Sequence, residues 1–221
     1  RIELNSKEQQ IVRAITQTSL TLVLKFKLYR TEEVRKKVAA KLVELIHENG
    51  DRLSTGFVGT PYLLHVLSEN GYTDVAYTLL LQEKMPSWLY SVNHGATTMW
   101  ERWNCVKEDG TFSDVSMTSF NHYAYGAVAD WLYGVVAGIE SLADGAGYEH
   151  ISLSPKPSEK LGFVNCKIET AHGAVVSKWY YGKEFIHYEF EIPSGTTAEL
   201  SLIDGTKKTL TSGKYLFTTK I

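Results

Sequence analysis

Between residue 7 and about residue 139 the apolar positions recur at helical spacing. Val34, Val38, Leu42, Leu45 and Ile46 fall on one face behind Thr31, an N-cap candidate, with Glu32 and Glu33 in the first turn and Asn49-Gly50 as the stop. Thr60-Pro61 reads as a cap followed by proline at the first helical position; Tyr62, Leu63, Leu64, Val66 and Leu67 follow, and Gly71 ends the helix. Thr73 is expected to cap a short helix through Leu81. A further helix is expected from about Ser119 to Val136, with Phe120, Tyr123, Ala127, Val128, Trp131 and Val135 inward. Short connections make neighbouring helices antiparallel hairpins.

Beyond Gly145 the period falls to two. Val164, Cys166 and Ile168 alternate with Lys167 and Glu169, and Ile186, Tyr188, Phe190 and Ile192 alternate with His187, Glu189 and Glu191. Turn signals at 171–173, 181–183, 193–195, 204–205 and 212–213 cut the stretch into six or seven strands, which suits a small antiparallel β-sandwich. The expected organisation is therefore a helical domain over residues 1–142 and a β-domain over residues 146–221.

Composition narrows the function classes. A net charge of −2 over 221 residues provides no global attraction to nucleic acid or an anionic membrane. Lys25 and Lys27 interrupt one long apolar run and Asp130 another, so no stretch reaches the roughly 18 residues of a membrane span and the chain reads as soluble. Cys105 and Cys166 are the only cysteines, which excludes a disulfide framework and a cysteine zinc knuckle. The chain starts at Arg1 with neither an initiator Met nor a signal-like segment, from which a fragment of a longer polypeptide is expected. Whether that polypeptide is cytoplasmic or exported stays open.

No GxSxG elbow, phosphate loop, dinucleotide fingerprint or HExxH motif is present. The stretch that carries chemistry is Gly95-Ala96-Thr97-Thr98-Met99-Trp100-Glu101-Arg102-Trp103-Asn104. A carboxylate between two indoles suits a site where sugar rings stack on aromatic faces while a glutamate handles a proton. An ion pair of Glu101 and Arg102 on a helix with buried tryptophans is the alternative. Of the other candidates, Trp88 reads as a packing anchor, His94 as a residue near the site mouth, and Asp109 and Asp114 as loop carboxylates that form turns.

Four blocks in order resemble the successive motifs of bacterial α-L-rhamnosidases: Gly56-Phe57-Val58-Gly59-Thr60-Pro61-Tyr62-Leu63-Leu64; Pro86-Ser87-Trp88-Leu89-Tyr90; the Gly95 to Trp103 string; and Ser119-Phe120-Asn121-His122-Tyr123-Ala124-Tyr125-Gly126-Ala127-Val128. The similarity continues through Glu191-Ile192-Pro193 and Thr196 to Ala198 in the β-domain. The resemblance implies part of an (α/α)6 six-hairpin barrel followed by a β-sandwich, and a glycoside hydrolase that inverts the anomeric carbon without metal or cofactor. It makes Glu101 the general base that deprotonates water. It makes His122 a contact to bound rhamnose, with Asn121 beside it as a further sugar-binding residue. Trp100 and Trp103, three apart on an expected helix, would share a face, one lining the pocket and one packing. Arg102 would orient a carboxylate.

One departure stands against these matches. The family's general acid lies in an upstream acidic motif, and Arg1 to Arg30 hold no counterpart. The expectation is that the chain alone does not run the reaction efficiently. Its partners would be a rhamnose-containing glycoside and either the upstream half of the same polypeptide or a second copy at the exposed barrel faces. Two other readings are a six-hairpin glycosidase of different sugar specificity and an inactive carbohydrate-binding fragment.

Overall fold

The computed structural model describes residues 2–4, 10–12, 16–113, 116 and 118–221. Contacts divide the chain into two compact units, Arg1–Val128 and Ala129–Ile221.

The first unit opens with β1 (Ile2–Leu4) paired antiparallel to β2 (Gln10–Val12), where a helical period was expected from residue 7 onward. Five helices follow: α1 (Gln17–Lys25), α2 (Glu32–Glu48), α3 (Thr60–Glu69), α4 (Thr73–Leu80) and α5 (Trp88–Asn93). α2 starts as expected, with the Thr31 hydroxyl accepting from the Val34 N–H at 3.3 Å. α1 packs on α2 and on α3, and α3 packs on α4. Leu20, Leu42, Ile46, Leu63, Leu67, Tyr77 and Leu79 are buried in this unit. Each comes from the apolar stripe of its own helix, so the 3.6-residue period sets which side chains meet.

Two expected caps are corrected. The N-cap of α3 is Gly59, and Thr60 is the first helical residue; its hydroxyl lies 2.8 Å from that of Thr55. The N-cap of α4 is Tyr72, and Thr73 lies inside the helix. Gly59 has a steric reason. A Cβ there would sit 2.9 Å from the Thr18 hydroxyl and 3.0 Å from a Thr55 methyl, so only glycine lets the loop pass α1 this closely.

The helix expected from Ser119 starts instead at Ala124, with a 3₁₀ turn (Ala124–Ala127), α6 (Val128–Trp131) and a π turn (Leu132–Val136). Residues 119–123 spend their backbone groups elsewhere: the Asn121 N–H donates to the Ser119 hydroxyl, and the His122 N–H donates to the Met99 carbonyl. Phe120 and Tyr123 are consequently exposed, Tyr123 at 88 %, where both were expected inward.

The second unit holds two four-stranded sheets. One, in the order β3-β4-β8-β9, comprises β3 (Ile139–Ser141), β4 (His150–Leu153), β8 (Thr197–Ser201) and β9 (Lys207–Leu210). The other, in the order β10-β7-β6-β5, comprises β5 (Phe163–Thr170), β6 (Gly173–Tyr181), β7 (Phe185–Ile192) and β10 (Gly213–Lys220). The turns expected at 171–173, 181–183, 193–195, 204–205 and 212–213 all separate strands. The alternation on β7 is as expected, with Ile186, Tyr188, Phe190 and Ile192 buried. One pairing departs from the antiparallel expectation: β4 and β8 run parallel, with His150 opposite Thr197 and Leu153 opposite Leu200.

The inner face of β6 is fastened by two side chains. Trp179 Nε1 donates to the Val136 carbonyl at 2.8 Å, and the Ser177 hydroxyl donates to the Ala137 carbonyl at 2.6 Å. Both side chains are buried, so the two carbonyls have protein partners in place of water.

Candidate active site

None of the described residues from 94 to 123 lies in a helix, so the expected helical spacing of Trp100 and Trp103 does not hold. A backbone clamp organises them. The Glu101 N–H donates to the Ser119 carbonyl at 2.9 Å, the His122 N–H donates to the Met99 carbonyl at 2.8 Å, and the Thr98 hydroxyl donates to the Phe120 carbonyl. Segments 98–101 and 119–122 are thereby laced together. Trp100, Glu101, Asn121 and His122 all ride on them.

The Glu101 carboxylate is part of this lacing. Its Oε2 accepts from the Ser119 N–H at 2.8 Å. Ser119 also accepts from the Cys105 thiol at 3.7 Å, and Cys105 Sγ takes the Arg102 N–H at 3.4 Å. Cys105 is fully buried and closes the turn after Glu101. The Arg102 N–H and carbonyl are both engaged by Cys105, which fixes the backbone of Arg102 next to the carboxylate.

Aromatic packing sets the wall. Trp103 stacks on Tyr125 with ring centroids 3.8 Å apart and 13° between planes, meets Trp88 edge-on at 5.4 Å, and donates from Nε1 to the Thr55 carbonyl at 3.4 Å. Thr55 belongs to a loop that α1 holds through Gln17, whose amide donates to the Arg52 carbonyl and accepts from the Ser54 N–H. Trp88 is the anchor expected of it: buried, with Nε1 donating to the Tyr125 carbonyl at 2.9 Å. Trp100 is buried and edge-on to Phe120 at 5.6 Å. Trp88, Met99, Trp100, Trp103 and Tyr125 line a cleft of ≈ 290 Å³.

His122 borders a second cleft of ≈ 470 Å³ with Phe57, Pro61, Tyr123, Ala124 and Ala127. Its ring lies flat against Phe57 at 4.7 Å and against Tyr123 at 5.3 Å. Nδ1 accepts from the Ala124 N–H at 3.3 Å, which places the proton of the neutral ring on Nε2 and makes that atom a donor. Asn121 is exposed. Glu101 borders neither of these two clefts.

Burial pushes the Tyr125 phenol above its ordinary range, with the negative charges that Cys105 and Glu101 can carry adding to it. Tyr125, Phe57, Ser119 and Cys105 are the residues that the sequence reading did not single out. Phe57, Ser119 and Tyr125 stood inside the recognised blocks; Cys105, two positions beyond Trp103, had no signal of its own. His94 is the C-cap of α5, with Nδ1 2.8 Å from the Tyr90 carbonyl. Asp109 forms a turn by accepting from the Thr111 N–H and hydroxyl. Asp114 lies outside the described residues.

The model of the bacterial alpha-L-rhamnosidase 6 hairpin glycosidase domain matches residues 3–136, and that of the bacterial alpha-L-rhamnosidase C-terminal domain matches residues 138–217. The chain belongs to the bacterial α-L-rhamnosidase family. Its helical unit is part of a six-hairpin glycosidase domain, and its β-sandwich is the family's C-terminal domain. An α-L-rhamnosidase of Formosa agariphila is 43% identical over 187 residues, 85% of this chain and 20% of that relative. Among solved structures, the Streptomyces avermitilis α-L-rhamnosidase complexed with L-rhamnose superposes with a TM-score of 0.89 at 36% identity, covering 96% of this chain and 22% of that one. The native α-L-rhamnosidase of Aspergillus terreus gives 0.90 at 35% identity, over 97% and 25%. This rhamnosidase-family chain thus spans about one fifth of the length of the curated relatives it matches.

Proposed function

We propose that this chain supplies the general-base side of an inverting glycoside hydrolase that releases terminal α-L-rhamnose from plant glycosides or polysaccharides. The observation that carries the reading is the clamp on Glu101. With Oε2 held by the Ser119 N–H, the carboxylate has a fixed orientation, and Oε1 is left to accept a proton from water. The water attacks the anomeric carbon as the glycosidic bond breaks, and the leaving oxygen takes a proton from a second carboxyl. In an inverting site that carboxyl stands about 6.5–9.5 Å away. The reading assigns it to a part of the polypeptide outside residues 1–221, and the isolated chain is therefore expected to be inactive.

His122 fits a sugar contact. Its Nε2–H borders a cleft with an apolar floor at Phe57 and Pro61, so a ring hydroxyl can be bonded while the ring's apolar edge rests on carbon. Trp100 and Trp103 serve as the wall, Arg102 keeps the carboxylate oriented, and Asn121 is exposed and available to a second hydroxyl. The family relationship supports rhamnose as the sugar.

The test is hydrolysis of an aryl α-L-rhamnoside by the longer polypeptide, as wild type and as Glu101→Gln, with the anomer of the nascent sugar read by NMR. The expected result is turnover with inversion, lost in the variant. Unchanged turnover in Glu101→Gln, or release of the retained anomer, overturns the assignment.

A further inference from the structure

The outer face of the β10-β7-β6-β5 sheet has a composition that the core does not need. Register aligns Phe163, Tyr180, His187 and Thr218 in one row across all four strands, and Asn165, Lys178, Glu189 and Leu216 in the next. At about 4.8 Å per strand, such a row spans about 14 Å. Phe163 is 68% exposed and Tyr180 54%. A cleft of ≈ 500 Å³ lies over these rows.

The aromatic row is held in place. Tyr180 lies flat on His187, centroids 4.6 Å apart and planes 10° apart. Behind His187 is Gly182, where an added Cβ would stand 2.9 Å from Nε2, so the imidazole closes directly on backbone. Tyr180 is therefore presented with its rotamer restricted, and a ligand that rests on it gives up little side-chain freedom.

The charges select the class of ligand. Lys178 pairs with Glu189 at 2.9 Å, Lys214 pairs with Glu191 at 3.4 Å, and Lys167 pairs with Glu169. Cations and anions cancel locally, which gives neither a polyanion nor a cationic segment a field to follow. What remains is exposed ring surface beside amide, ammonium, carboxylate and hydroxyl groups. A neutral sugar chain matches that pattern, because it offers apolar C–H faces to rings and hydroxyls that both donate and accept.

We propose that this face binds a neutral polysaccharide, with Phe163 and Tyr180 as its contacts. The site is independent of Glu101, so a failure here would leave the catalytic reading intact. The test is affinity electrophoresis of the whole chain through gels containing arabinogalactan, xylan or hydroxyethylcellulose, with dextran sulfate and polygalacturonate as charged comparators. The expected result is retardation in a neutral gel, unchanged in Glu101→Gln and reduced about fivefold to tenfold in apparent affinity by Phe163→Ala or Tyr180→Ala, the scale of one lost ring contact. Phe163 is too exposed for its truncation to open the core, so that variant stays informative if Tyr180→Ala does not fold. Normal mobility in all three neutral gels overturns the proposal, as does retardation in the charged gels alone or retardation that neither substitution weakens. Sedimentation showing a dimer that both substitutions dissolve also overturns it, by giving the face to a second copy.

Discussion

Ser119 holds Glu101 through both of its backbone polar groups: its carbonyl accepts the Glu101 N–H at 2.9 Å, and its N–H donates to the Glu101 carboxylate at 2.8 Å. Backbone and side chain of one residue are thus tied to one partner. Rotation of the carboxylate would break a charge-assisted hydrogen bond, and displacement of the loop would break both.

The clamp makes Glu101→Gln a clean substitution. The amide oxygen still accepts from the Ser119 N–H, now as a neutral acceptor, so the unfolding free energy of the variant is expected to stay within about 1 kcal/mol of wild type. Turnover of an aryl α-L-rhamnoside by the longer polypeptide is expected to fall about 10²- to 10⁴-fold. Denaturant titration and steady-state kinetics on the same preparation check the two halves.

Trp103 joins Tyr125, Trp88 and the Thr55 carbonyl, so its truncation removes three contacts together. Trp103→Ala is expected to destabilise the helical unit by about 3 kcal/mol. Trp103→Phe keeps the stack and loses the hydrogen bond, for about 1 kcal/mol. Urea unfolding of both variants measures the difference.

In the sandwich, Trp179→Phe leaves the Val136 carbonyl buried without its donor. A cost of about 1–3 kcal/mol is expected. Ser177→Ala does the same to the adjacent Ala137 carbonyl. Because both grip one short segment, the double variant is expected to lose less than the sum. A double-mutant cycle in urea measures the coupling.

Alkali should loosen the protein through its buried phenols. Burial raises Tyr188 in the sandwich, against a lowering by its hydrogen bond to Thr219, and burial also raises Tyr125 and Tyr90 in the helical unit. Their folded pKa values lie above the unfolded ones, so the stability they contribute is complete below about pH 10. It is lost as pH rises through the folded values, where the unfolded chain binds fewer protons. Urea midpoints should therefore hold up to about pH 10 and drop above it, and Tyr188→Phe should flatten that drop for the sandwich.

How much of this was legible depends on where the partners lie along the chain. Thr31 and Val34, or Ile186 to Ile192, declare themselves because cap and alternation are local patterns. The Thr60 cap is a local pattern that the structure overrides: Thr-Pro resembles a cap, but the Gly59 carbonyl takes the Tyr62 and Leu63 N–H groups, and the Thr60 hydroxyl turns to Thr55. The site is different in kind. Trp103 meets Tyr125 across 22 positions, and Glu101 meets Ser119 across 18, through turns with no period for a sequence to reveal. Residue types alone singled out Glu101, and resemblance gave Glu101 and His122 their expected roles; the clamp and the flat Phe57–His122 contact show only in the structure.

The parallel pairing of β4 with β8 has a consequence for the order of assembly. His150 faces Thr197, and the 46 residues between them contain β5, β6 and β7, all of which belong to the other sheet. A nascent chain can close those three antiparallel strands through short turns while β4 waits with one edge unfilled. During synthesis the three-stranded meander should gain protection first, and the β3–β4 hairpin should stay open to proteases or chaperones until β8 leaves the ribosome.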